Sequence, residues 1–456
     1  MTTVTGRILR SSILRAFRII VAKTAMPNPP IRRIAFKTLG CRLNQYETDS
    51  LEAQFRRAGY RIVDYRDHAD AYVVNTCTVT SRSDQKSRNS IHQATRSNND
   101  AVVVLTGCMA SNRHSVFDAA RPTYVVGNSG KADIFALVDA HLNGETIESA
   151  SSAKSVFDYE PTDAGVHTRA MIKIQDGCDN FCSFCIIPYV RGRAVSRPPG
   201  EICENIRKVL DFGYREVTLT GVNIGRYRHE DADFEDLVES ILQIPGQFRL
   251  RISSLEPIGF GERLIDMFDQ EHLAPHLHLC LQSGSDKMLI KMKRMYSVAT
   301  YRKMVDRIRR RHPDFNLTTD IMVGFPGETE EDFERSCQLA RDIGFSHIHT
   351  FKYSPRKGTP AWRMPGQVCA QVKTRRSRLV HEISKSNKQR YYASFIGRNE
   401  VMLTEKQVGA KLSGYGQYYI PLLIDRGDLT SNQFVTATIT GITDESPPRL
   451  IAEIAA

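Results

Sequence analysis

Long apolar runs are missing from this 456-residue sequence. With 41% hydrophobic and 25% charged residues it has the balance of a globular chain, which excludes a disordered or collagenous polymer. It offers no segment fit to span a bilayer, so no membrane partner is expected. Cysteine is scarce: ten residues, at 41, 77, 108, 178, 182, 185, 203, 280, 337 and 369. That is too thin for a disulfide scaffold, and the start of the sequence does not read as a secretory signal. Reduced thiols in a cytoplasmic setting, some of them metal ligands, are expected instead. Acidic residues are absent before Glu47, whereas Arg7, Arg10, Arg15, Arg18, Lys23, Arg32, Arg33, Lys37 and Arg42 precede it. Such a leader has the composition of an organellar transit peptide, or else it lies upstream of a start at Met26. Residues 1–30 are expected to be a weakly structured basic extension in either case.

What is present is basic. Lys and Arg number 62 against 51 Asp and Glu, a formal net charge of +11, which suits a polyanionic partner without identifying it. From residue 31 the periodicity alternates between strand and helix. Strands are predicted at 34–38, 71–75, 101–106 and 124–127, and helices at 47–58, 83–96 and 131–142. This order predicts a parallel α/β sheet domain over 31–145. Residues 146–164 lose the apolar pattern and read as a linker. Strands at 170–175, 215–220, 248–253, 276–281, 316–323 and 346–352, most followed by a helix, predict a partial (β/α)6 barrel within 165–395. A basic helix at 373–391 follows. Short β-rich runs from 396 to 456 predict a small all-β barrel.

The densest chemical signal is Asp176-Gly177-Cys178-Asp179-Asn180-Phe181-Cys182-Ser183-Phe184-Cys185, just after the first barrel strand. Three thiolates at this spacing can hold three irons of a [4Fe-4S] cube and leave the fourth open to a ligand. A structural zinc site would need a fourth Cys or His, and none lies within ten residues downstream. A second set is dispersed. Cys41, Cys77 and Cys108 are 36 and 31 residues apart, yet each sits just beyond the carboxyl end of a predicted strand. Strand ends of a parallel sheet lie side by side and border the ligand crevice, so the three thiols can share one cluster. Cys203, Cys280, Cys337 and Cys369 read as ordinary core or surface thiols.

The C-x3-C-x2-C run after a strand resembles the radical S-adenosylmethionine superfamily. Both cysteine sets, with the small β-barrel after them, resemble the methylthiotransferases over roughly residues 31–454. Supporting segments are Ile187-Pro188-Tyr189-Val190-Arg191-Gly192, Thr220-Gly221-Val222-Asn223-Ile224-Gly225, Ser253-Ser254-Leu255-Glu256-Pro257 and Leu281-Gln282-Ser283-Gly284-Ser285. Gly324-Phe325-Pro326-Gly327-Glu328-Thr329 and Tyr353-Ser354-Pro355-Arg356-Lys357-Gly358-Thr359-Pro360 complete the set. The resemblance implies two [4Fe-4S] clusters, held by Cys178, Cys182 and Cys185 and by Cys41, Cys77 and Cys108, with S-adenosylmethionine on the open iron of the first. One S-adenosylmethionine would methylate sulfur at the auxiliary cluster, and a second would yield a 5′-deoxyadenosyl radical. The segments at barrel strand ends supply candidate S-adenosylmethionine contacts: Gly221, Asn223, Ser253, Glu256, Gln282 and Ser283. For Asn223, Glu256 and Gln282 a capping or turn role is equally open. The C-terminal barrel resembles a TRAM domain.

The run Thr38-Leu39-Gly40-Cys41-Arg42-Leu43-Asn44-Gln45-Tyr46-Glu47 is similar to the class acting on N6-threonylcarbamoyladenosine of tRNA, at C2 of the base at position 37. Alternatives are the classes acting on isopentenyladenosine or on a ribosomal-protein aspartate, and, outside catalysis, an RNA-binding iron–sulfur carrier. Asn44 sits near the substrate or caps a helix starting near Glu47. Two basic runs bear on RNA: Arg302, Lys303, Arg307, Arg309, Arg310 and Arg311, for which a solvated helix face is equally open, and Lys373, Arg375, Arg376, Arg378, Lys385, Lys388 and Arg390. The second leads to Lys411, Tyr415, Tyr418 and Tyr419 and is expected to attract phosphate and stack bases. An external low-potential electron donor of flavodoxin or ferredoxin type is implied. The sulfur donor is not named by the sequence.

Overall fold

The structure, a computed structural model, describes residues 32–112, 114–115, 122–145, 155–159 and 168–455. The expected basic extension at 1–30 lies outside the described residues, as does the linker except for 155–159. No described helix is long and apolar enough to cross a membrane.

The first domain is a parallel sheet of β1 (Arg33–Thr38), β2 (Arg61–Val63), β3 (Ala71–Thr76), β4 (Val102–Gly107) and β5 (Tyr124–Val125), in the order β2-β1-β3-β4-β5. Helices α1 (Arg42–Arg57), α2 (Ser81–Ser97) and α3 (Ile134–Asn143) cover it. Both β3 and β4 are buried along their whole length, as continuous Val-rich strands with both faces covered must be. Two differences from the sequence reading stand out. The short strand β2 is additional, and α1 begins at Arg42 instead of near Glu47. Asn44 therefore does not cap the helix. It lies buried in the first turn, and its amide donates to the carbonyls of Leu39 and Thr76, tying the ends of β1 and β3 together.

All six predicted barrel strands form, at Arg169–Lys173, Glu216–Thr220, Arg249–Ile252, His276–Leu279, Asn316–Val323 and His347–Lys352. They run parallel in chain order, with the third interrupted at Ser253 and continued by Ser254–Leu255. The strands alternate. Val217, Leu219, Leu250, Ile252, Leu277 and Leu279 pack beneath the helices, which leaves Thr218, Arg251, His276, His278, Asn316 and Thr318 to line a polar interior cavity. The helix Ala370–Ala393 leads into a closed five-stranded barrel, from Asn399–Val408 to Leu450–Ile454.

Two buried ionic clusters fasten these parts. Between the first domain and the partial barrel, Glu47 of α1 accepts from Lys131, from Lys173 at 3.0 Å and from Arg191 at 3.1 Å. Arg191 also bonds both oxygens of Asp176, at 3.0 and 2.9 Å, and Asn44 Oδ1 at 2.6 Å. Burial works against the Glu47 charge, yet Arg191, Lys131 and Lys173 hold its carboxyl well below the usual range. Residues 155–159, expected as free linker, dock here instead. Lys173 donates to the Val156 carbonyl and lies over the rings of Phe157 and Tyr159. Between the two barrels, Glu216 holds Arg251 at 2.8 Å and Arg249 at 3.4 Å. Those guanidiniums donate onward to the carbonyls of Tyr415, Val401, Gln417 and Gly416.

Removing the Glu47 charge leaves Lys173 and Arg191 with Asp176 alone, and Lys131 with no carboxylate partner among the described residues. Glu47→Gln is expected to lower the unfolding free energy by about 3 kcal/mol or more in urea titration. Glu204→Gln, in the exposed pair with Lys208 at 2.7 Å, should leave the midpoint where it is. Near the second joint, burial pushes the Glu400 carboxyl up to about 7. The folded chain then holds a proton that the unfolded chain releases. That stabilisation is complete below the ordinary carboxylate range and is lost as pH rises through about 7. The thermal midpoint of the C-terminal barrel should therefore fall between about pH 5 and about pH 8, and Glu400→Gln should flatten the dependence.

Candidate functional site: two cysteine triads beside adjoining cavities

Cys77 and Cys108 follow directly on β3 and β4, and Cys41 follows β1 after Leu39 and Gly40; the three strands are neighbours in the sheet. Their thiols lie close enough to act on one another's charge. Burial pushes up the Cys41 and Cys77 thiols. Donors surround the set: the backbone at Asn44 serves Cys41, and the backbone at Val79 and the Ser83 hydroxyl serve Cys77. The turn at Gly40 is possible only for glycine. Its φ is +104°, and a Cβ there would stand 2.9 Å from the Cys77 Cβ.

Cys178, Cys182 and Cys185 form the second triad, on the loop after Arg169–Lys173. Each thiol is raised by burial, Cys185 to about 12, with the neighbouring thiols adding to that shift for Cys182 and Cys185. Donors again wait on the sulfurs. The backbone at Asn180 serves Cys178, Arg294 Nη1 lies 3.2 Å from Cys182 Sγ, and the backbone at Ile187 serves Cys185. Gly177, at φ +68°, presses against the Arg193 carbonyl, where a Cβ would lie 1.9 Å from its oxygen. Three converging thiols, buried yet supplied with N–H donors, fit ligands that lose their protons when a metal cluster binds.

Around this triad lies a cavity of about 190 Å³, lined by all three cysteines together with Asn180, Asn223, Glu256, Gln282 and Arg294. Glu256 accepts from Asn180 at 2.8 Å and pairs with Arg294 at 2.7 Å. Gln282 adopts φ +69°, so its strand end turns sharply at the rim. Cys280, read from the sequence as an ordinary thiol, lines this cavity as well. Gly221 and Ser253 line a larger neighbouring cavity instead. Ser283 reaches neither. It is fully buried and bonded to Ser336 and Ser285, because the chain turns inward after Gln282.

The larger cavity holds about 630 Å³. It runs from Gly40, Cys41 and Arg42 past Gly221, Ser253 and Ser254 to Tyr415, Tyr419 and Pro447 of the C-terminal barrel. Ser254 also lines the smaller cavity, so the two share a wall. Between the triads, Cys108 packs on Ile186 and Val190, and Arg191 of that same segment is the centre of the Glu47–Asp176 joint. In the polar interior His278 meets Asp320 at 3.2 Å. Burial works against the His278 cation, yet Asp320 and Cys280 push it up to about 10.

Sequence reasoning did not find Arg294, Arg191, Glu47, Lys173 or the histidines. The polar residues at every second position of His276–Leu279, Asn316–Val323 and His347–Lys352 were a usable signal of an inward face. Nothing local marked the charges. Of the two basic runs, the first takes its solvated-face reading and the second differs from expectation. Arg302, Arg307 and Arg311 pair with Asp342, Glu262 and Asp269 on a solvated face. In the second run Arg375 and Arg376 are held by Glu330, Arg376 also by Glu328, and Lys373 bonds the Tyr353 carbonyl. Tyr415 and Tyr419 stack on each other at 4.9 Å in the joint between barrels, with Arg169 over both, so they are not an open base-stacking surface. The cause is the same in each case: acids and aromatics distant in sequence reach these groups through the fold.

Two family models match the chain: Uncharacterized protein family UPF0004 over residues 33–127 and the Radical SAM superfamily over 172–340. Among curated proteins, the threonylcarbamoyladenosine tRNA methylthiotransferase MtaB of Bacillus subtilis is 37% identical over 378 residues, covering 81% of this chain and 83% of that protein. The tRNA-2-methylthio-N(6)-dimethylallyladenosine synthase of Paraburkholderia phymatum is 34% identical, covering 82% and 86%. Among solved structures, the radical S-adenosylmethionine methyltransferase TsrM of Kitasatospora setae superposes with a TM-score of 0.54 at 16% identity, over 73% of this chain and 77% of that one, which is a likeness of fold. With its α/β sheet domain, partial barrel and closed C-terminal barrel in this order, the chain belongs to the methylthiotransferase family of radical S-adenosylmethionine enzymes.

Proposed function

We propose that the chain replaces the hydrogen at C2 of N6-threonylcarbamoyladenosine, at position 37 of tRNA, with a methylthio group. The observation that carries this reading is the continuity of the site: Cys41 of one triad and the strand ends beside the other line a single cavity. Cys178, Cys182 and Cys185 would hold the radical-generating [4Fe-4S] cluster. Cys41, Cys77 and Cys108 would hold a second, auxiliary cluster. When bound, the clusters and S-adenosylmethionine supply a 5′-deoxyadenosyl radical, an activated methyl group and a sulfur site.

The protein's own part is placement. Asn223, Glu256 and Gln282 stand beside the first triad, where they can bind the amino-acid and ribose groups of S-adenosylmethionine. Glu256 is fixed for that task by Asn180 and Arg294. The strand ends from Gly221 to Ser254 border the base site, and Ser254 borders this pocket as well, so that a reactive radical formed here meets substrate and not water. Residues Tyr415, Tyr419 and Pro447 close the far side. A low-potential flavodoxin or ferredoxin is the expected electron donor, and the cytoplasm, where tRNA is modified, the expected location.

The clusters are tested by paired variants. The Cys178→Ala/Cys182→Ala/Cys185→Ala chain should keep about half its iron and lose all S-adenosylmethionine cleavage, whereas full iron retention would refute the assignment. The substrate is tested by mass spectrometry of tRNA nucleosides from a deletion strain with and without the gene restored. The methylthio derivative of threonylcarbamoyladenosine should vanish and return. A response in the dimethylallyl derivative instead would move the chain to its other group of relatives.

A further inference from the structure

The larger cavity carries more positive charge than its acids balance. Arg42, Arg251 and Lys388 line it, and Asp320 is the one carboxylate among its described lining residues. Asp320 is paired with His278 at 3.2 Å, and Arg251 is used by Glu216 and two carbonyls. Two cations are left over. Arg42 donates to the Tyr419 hydroxyl at 2.5 Å and has no carboxylate partner among the described residues. Lys388, on the helix Ala370–Ala393, is half-buried and has neither a hydrogen bond nor an ion pair among them. Near it, His347 keeps a buried Nδ1 without a partner among the described residues. Burial pushes the Lys388 ammonium down, and burial with the Lys388 charge brings His347 to about 3. A half-withdrawn ammonium with nothing opposite it is unfavourable, and an anion from a ligand relieves it.

We propose that Lys388 and Arg42 form the subsite for the carboxylate of the threonyl substituent, with the buried Nδ1 edge of His347 as a hydrogen-bonding wall. This rests on the functional reading above and adds the residues that choose the substrate. Adenine places C2 and the N6-bearing carbon on either side of N1. A base with C2 directed at the auxiliary cysteines therefore carries its N6 substituent within one side chain's reach of them, and Arg42 is the neighbour of Cys41. A dimethylallyl group, being apolar, would leave both cations unanswered, which is how the pocket discriminates.

The shared chemistry is an anion, and a backbone phosphate of the tRNA is its other source. The test therefore compares two anticodon stem-loops that differ only at position 37, one carrying threonylcarbamoyladenosine and one adenosine. Each is titrated against the cluster-loaded full chain, Lys388→Met and Lys388→Arg, with iron content checking that every variant is folded and loaded. The parent should bind the modified loop about tenfold more tightly, Lys388→Arg should keep most of that preference, and Lys388→Met should bind both loops alike. Equal weakening of both loops in Lys388→Met would mean a phosphate contact and overturn the proposal, as would an unchanged preference. A parent chain that shows no preference and forms no methylthio product on the modified loop would instead overturn the functional reading, and the subsite with it.

Discussion

Everything at this site depends on one buried ionic joint, in which Glu47 and Asp176 are shared among Lys131, Lys173 and Arg191. Its members come from both domains that carry cysteines. Glu47 and Lys131 belong to the parallel-sheet domain, and Lys173, Asp176 and Arg191 flank the second triad in the chain. Such a cluster tolerates little displacement, because each charge withdrawn from water is stable only while its partners stay in place. It therefore fixes the distance and orientation between two sets of thiols that the sequence holds at least 70 positions apart. Five groups with two negative and three positive charges also leave one positive charge over, in the neighbourhood where thiolate-bound clusters would bring negative charge.

The second joint works by different means. Arg249 and Arg251 cross from the catalytic barrel to backbone carbonyls of the C-terminal barrel, with Glu216 beneath them. A guanidinium suits this task, since its fork reaches several acceptors at once and stays charged when buried. The C-terminal barrel is thus a wall of the cavity rather than a loosely tethered module. Its aromatic residues Tyr415 and Tyr419 contribute to the inside of the site.

Much of this was legible in the chain. Val-rich strands alternating with helices gave the sheet, and six strand-like runs gave the barrel in its true order. The Cys178 triad announced itself by spacing, and Cys41, Cys77 and Cys108 by their common position after strands. The start of α1 was misread because Arg42, Leu43 and Asn44 carry no strong start signal, and the turn is set by Gly40 and by tertiary bonds from Asn44. The ionic joints were not legible at all. Glu47 and Arg191 are 144 positions apart, and pairing of buried charges is decided by topology, to which no local pattern refers. The second basic run misled for the same reason, since the acids that hold Arg375 and Arg376 sit on another segment of the chain.

The central proposal is that the two cysteine triads, joined through the Glu47–Arg191 contact, would each hold a metal cluster. Electron paramagnetic resonance of the reconstituted, chemically reduced chain tests it most directly. About eight irons per chain and two paramagnetic centres broadened by mutual coupling are predicted, with the broadening lost in Cys41→Ala/Cys77→Ala/Cys108→Ala. About four irons and a single unbroadened signal, unchanged by that substitution, would contradict it.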